Sequence, residues 1–130
     1  MSEMQVKAYP EPVRKLLAEK SRILSQAQTF EQMDLSETTK TLWLSAASLE
    51  ERLAPWMDGL GREDESAIHR ISAGSCYRKG GRPDQAANMF RAALSGTLSA
   101  EVRADVENML AECIEELTAT AWAGAGSSEA

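Results

Sequence analysis

The chain is poor in the residues that most chemistry requires. Of its 130 residues, one is histidine and two are cysteine. The only histidine, His69, stands seven positions before Cys76 in one helical segment. Two turns of helix separate such positions by about 10 Å of rise, too far for a shared zinc ion or a Cys–His ion pair. No metal centre, cofactor or catalytic residue is expected, and His69 reads as a structural or surface residue. Cys76 and Cys113 lack a Cys-x-x-C spacing, so both read as buried thiols rather than a disulfide. The glycines follow neither a P-loop nor a dinucleotide fingerprint, and Gly-x-Ser-x-Gly is absent. The chain is therefore not expected to be an enzyme.

Cations are also scarce: 14 Lys and Arg face 20 Asp and Glu, for a net charge of -6. A nucleic-acid binder needs a dense cationic surface to displace counterions from phosphates, and anionic membranes select for the same feature. Neither partner is expected. No apolar run approaches the roughly 18 residues that cross a bilayer. Met1 to Ala8 contain no apolar stretch of a secretory signal, which points to the cytoplasm.

What remains is a globular composition, 43% hydrophobic and 26% charged, at a length that suits one domain. The charge is uneven. Residues 1–61 hold 7 basic and 9 acidic side chains, residues 62–91 hold 6 and 4, and residues 92–130 hold 1 and 7. Glu50-Glu51, Glu63-Asp64-Glu65 and Glu115-Glu116 read as solvated charge on polar faces or helix ends.

Helical periodicity runs through five segments, and no strand alternation lasts. The first helix begins at Pro10-Glu11-Pro12 and sets Val13, Leu16, Leu17, Ile23, Leu24, Ala27 and Phe30 on one stripe. Asp34, with Glu37 three residues on, reads as the cap of the second. Its seam is Leu35, Thr39, Leu42, Ala46, Leu49, Leu53 and Trp56, and Pro55 is expected to kink or end it. The third opens on Glu63-Asp64-Glu65, buries Ala67, Ile68, Ile71, Gly74 and Tyr77, and stops at Gly80-Gly81. Pro83-Asp84 opens the fourth, with Ala86, Ala87, Phe90, Ala93 and Leu94 inward and Gly96 closing it. Ser99 caps the fifth, whose stripe is Val102, Val106, Met109, Leu110, Cys113, Ile114 and Leu117. Residues 1–122 are expected to form one all-α domain of antiparallel helices, and residues 123–130 a disordered tail.

Gly74-x-x-Tyr77 and Ala86-x-x-x-Phe90 stand at a fixed mutual offset, with Gly81 in the turn and Ala93 three residues past Phe90. Residues 70–94 thereby resemble one tetratricopeptide repeat, although Arg70, Ala73 and Leu98 depart from its pattern. The resemblance implies a right-handed α-solenoid or bundle whose last helix caps the stack. It implies a protein-binding adaptor whose groove would present Ile71, Ser75, Arg78 and Lys79, with Arg82 at the rim. Those cations suit an acidic segment of a partner. Two other roles stay open: a small acidic chaperone for a dedicated client, and a homo-oligomeric structural or regulatory module using Trp43 and Leu44 if they are exposed.

Overall fold

The computed structural model describes residues 9–129, with side chains as far as Ala123; residues 1–8, the start of the expected domain, lie outside it. The described residues hold five α-helices and no strand: α1 (Glu11–Gln32), α2 (Ser36–Gly59), α3 (Glu63–Lys79), α4 (Pro83–Leu94) and α5 (Ala100–Glu129). Packing follows chain order, α1 on α2, α2 on α3, α3 on α4 and α4 on α5. None of these helices is long and apolar enough to cross a membrane. The helical backbone runs through the expected tail to Glu129, and the side chains after Ala123 lie outside the described residues.

The first three connections are one turn used three times. In each, a residue of positive φ precedes a backbone N–H that reaches five residues back: Leu35 to Phe30, Arg62 to Met57, and Arg82 to Tyr77. The left-handed residues are Asp34 (φ 58°), Gly61 (φ 74°) and Gly81 (φ 81°). Gly81 thus ends α3 as its sequence predicts. Asp34 does not cap α2. It closes α1 instead, in a conformation that aspartate tolerates better than most residues, and Leu35 takes the cap position without a side-chain bond. The fourth connection differs: Ser99 Oγ accepts the Val102 N–H at 3.2 Å, the expected cap.

α2 lies between α1 and α3 and is buried on two sides. Thr39, Trp43, Ala46, Ala47, Leu49, Glu50, Leu53, Ala54 and Met57 are inside, whereas Leu35 and Trp56, expected on the seam, are partly exposed. Pro55 does not end the helix, which continues to Gly59. Leu53, Ala54 and Met57 anchor the turns on either side of it, so the missing N–H interrupts one bond without releasing the segment.

α3 and α4 meet at closest approach through Gly74. A methyl group there would sit 2.5 Å from Phe90 Cε1, and Phe90, Ala86 and Ala93 are buried around the contact. Gly80 is equally tight, with a Cβ falling 2.5 Å from Leu44 Cδ2. The small residues at these crossings let the backbones approach, and the rings fill the space beside them. α5 closes the far side through Val106 and Cys113, both fully buried, while Val102 and Ile114 of its expected stripe stay partly exposed.

Candidate functional site

α3 occupies the middle of the array, and its sequence divides it lengthwise. Successive residues turn about 100° around a helix axis. Ser66, Ala67, His69, Ala73, Gly74, Cys76 and Tyr77 fill the buried half. Asp64, Ile68, Ile71, Ser72, Ser75 and Lys79 fall on the opposite half, facing out. Ile68, expected in the core, is 59% exposed. Serine and histidine take the inward positions because partners wait for them there. Ser66 Oγ donates to the Ala54 carbonyl at 3.0 Å, and Arg70 reaches Ser66 Oγ at 2.8 Å and Asp58 at 2.6 Å.

His69 belongs to a buried polar link across three helices. Its Nδ1 lies 3.2 Å from Glu50 Oε1, the oxygen that also receives Lys20 Nζ at 3.0 Å. Glu50 is only 3% exposed, so its expected place on a solvated face is corrected. Burial pushes its carboxyl up, but the bonds from His69 and Lys20 outweigh that and hold it below its ordinary value. The neighbouring Glu51 accepts the Tyr77 hydroxyl at 3.1 Å, and burial beside that carboxylate pushes the phenol up to about 12.

Both edges of the outward face of α3 are bordered. Along one, Arg78 crosses to α5, with Nη1 2.5 Å from Glu112 Oε2 and Nη2 2.6 Å from Glu116 Oε1. Along the other, Lys79 Nζ sits 4.2 Å above the Trp43 ring, and at the lower end Tyr9 donates to Glu65 while Arg62 stacks over its ring at 4.4 Å.

The sequence-predicted residues therefore separate. Ile71 and Ser75 share the outward face and are half-buried. Arg78 is turned sideways and held by two carboxylates, and Arg82 is paired with Asp84 at 3.0 Å. Trp43 is 5% exposed beneath Lys79, and Leu44 presses on Gly80. The end of α3 covers both. A cleft of about 320 Å³ remains beside them, bounded by Leu35, Thr39, Lys40 and Lys79.

Cys76 is a free, buried thiol that burial pushes up to about 11, and burial raises Cys113 in the same direction. Among the described residues no three His, Cys, Asp or Glu side chains gather where a metal could sit. Comparison with family models, curated proteins and solved structures returns no match.

Proposed function

We propose that the chain is a protein-interaction module of tetratricopeptide-like design, which receives a peptide or helix of a partner along the outward face of α3. The supporting observation is Ile68: an isoleucine 59% exposed at the centre of the array, in line with Ile71 and Ser75. An exposed isoleucine beside a half-buried one, between two bordering helices, is the kind of surface that takes the anchors of an amphipathic segment. The fit of Gly74 against Phe90 supports the repeat reading, because that small-against-ring contact is what the Gly-x-x-Tyr and Ala-x-x-x-Phe spacing would serve.

The test is affinity capture from the native cell, using the wild-type chain and an Ile68→Ser/Ile71→Ser variant. A partner held by the wild type and lost by the variant, with helix content unchanged, supports the face. Equal capture by both would move the function elsewhere on the molecule. Replacing Arg78 and Lys79 together by alanine tests the cationic edge in the same assay.

A further inference from the structure

Charge is distributed so that one kind of partner fits the α3 face. Residues 1–91 contain 13 basic and 13 acidic side chains, so the whole net charge of -6 belongs to residues 92–130. That segment contains α5, and α5 borders α3 through Arg78. The guanidinium there meets two carboxylates, Glu112 and Glu116, which leaves an excess of negative charge at the contact. From Glu112 the solvent side of α5 continues at three- and four-residue steps through Glu115 one way and through Asn108, Asp105 and Glu101 the other, all exposed. The cations expected to attract an acidic segment are already engaged: Arg78 by α5, Arg82 by Asp84, and Lys79 above Trp43.

We infer that the partner of the α3 face is a cationic amphipathic helix, with apolar residues seated on Ile68, Ile71 and Ser75 and its Lys or Arg side chains along one flank, against α5. The inference rests on the module reading above and reverses the sign of charge first expected of the partner. Ile68 and the half-buried Ile71 supply the apolar seat. The acidic edge supplies attraction and direction, since a helix laid the other way would set its cations against Lys79. Ser72 and Ser75 are small enough to let a second helix approach α3 closely.

The experiment uses the full chain and a labelled model peptide of about 18 residues, long enough to span α3. The peptide is built from Leu, Ala and Lys, with Leu at three- and four-residue steps and Lys along one flank; a second peptide replaces Lys by Glu. Fluorescence anisotropy should show the Lys peptide binding at least about tenfold more tightly than the Glu peptide. That gap should narrow as salt is added. Ile68→Ser/Ile71→Ser should weaken the Lys peptide about tenfold with an unchanged circular dichroism spectrum. Asp105→Lys/Glu115→Lys should turn the preference towards the Glu peptide.

Equal affinity for the two peptides would overturn the inference. So would an undiminished serine variant, because binding would then be adsorption to an acidic helix without the apolar seat. A wild-type dimer that the serine variant converts to monomer in sedimentation would give the face to a second copy and also overturn it. If the peptides fail while the serine variant still loses its native partner, the charge inference falls and the module stands. If the variant keeps that partner, the proposed face falls as well.

Discussion

Replacing Gly74 by alanine sets two effects of opposite sign against each other. In an open helix the change is favourable by about 1 kcal/mol, because alanine loses less backbone freedom on folding. At Gly74 the new methyl would lie 2.5 Å from Phe90 Cε1 and 2.8 Å from Cδ1 and Cζ, against a fully buried ring. Relieving that overlap requires α3 and α4 to separate or the ring to leave its rotamer, and overpacking of this kind costs about 1–3 kcal/mol. A ring face met by three close approaches belongs at the upper end, so we expect a net loss of about 1–2 kcal/mol. In urea this lowers the midpoint by roughly 1 M, with the slope unchanged.

Two comparisons isolate the cause. Gly59→Ala, where a methyl meets nothing within 4 Å, should gain up to about 1 kcal/mol. In a Phe90→Leu background, Gly74→Ala should cost less by at least about 1 kcal/mol, since the obstructing edge of the ring is gone. A Gly74→Ala variant more stable than the wild type would refute the tight α3–α4 crossing, and with it the packing basis of the repeat resemblance.

At the turns, Asp34→Gly should stabilise the chain by about 1 kcal/mol and Gly81→Ala should destabilise it by a similar amount, because both positions are left-handed; thermal melts measure both. Glu50 makes stability depend on acid. Its carboxyl is lower in the folded chain than in the unfolded one, so its contribution is complete above the ordinary carboxyl range and is lost as pH falls through the folded value. Glu50→Ala, which leaves Lys20 and His69 without their shared partner, should cost about 3 kcal/mol at neutral pH and flatten the acid limb of a stability–pH curve. Cys76, with its thiol pushed up to about 11 and its side chain buried, should resist a thiol reagent at pH 8 until the chain is unfolded; rapid labelling of the native protein at Cys76 would contradict its placement.

Helix number and most helix ends were legible because their signals are local. Pro83, Gly81 and Ser99 act through backbone geometry within one turn of chain, and each does what its type suggests. Asp34 was misread because one side chain serves two local purposes, capping a helix or tolerating positive φ, and the Leu35–Phe30 bond selects the second. Glu50 was illegible for another reason. Its partners are 30 and 19 positions away on two other helices, so nothing beside it in the sequence marks a carboxylate that will be buried. Arg78 is the same case in reverse: it looks like a free terminal cation until α5 brings Glu112 and Glu116 to it across the fold.

The reading of α3 missed at Ile68, Ser66 and His69. Hydropathy placed Ala67, Gly74 and Tyr77 inside, where they are, but it placed Ile68 there too and gave no reason to bury Ser66 or His69. That orientation is stable because the inward polar groups are answered, Ser66 by the Ala54 carbonyl and His69 by Glu50, and no buried side-chain donor or acceptor among the described residues lacks a partner. Gly74 fixes the choice further, since only a residue without a side chain fits against Phe90, and that contact sets the rotation of the whole helix. With Gly74 facing α4, Ile68 is turned about 120° away around the axis, and no neighbour among the described residues buries it. An isoleucine left outside by a steric constraint elsewhere costs the fold little, but it gives an arriving helix apolar area that water does not hold strongly. The packing that closes α3 against α4 is therefore the same packing that leaves Ile68 exposed on another face.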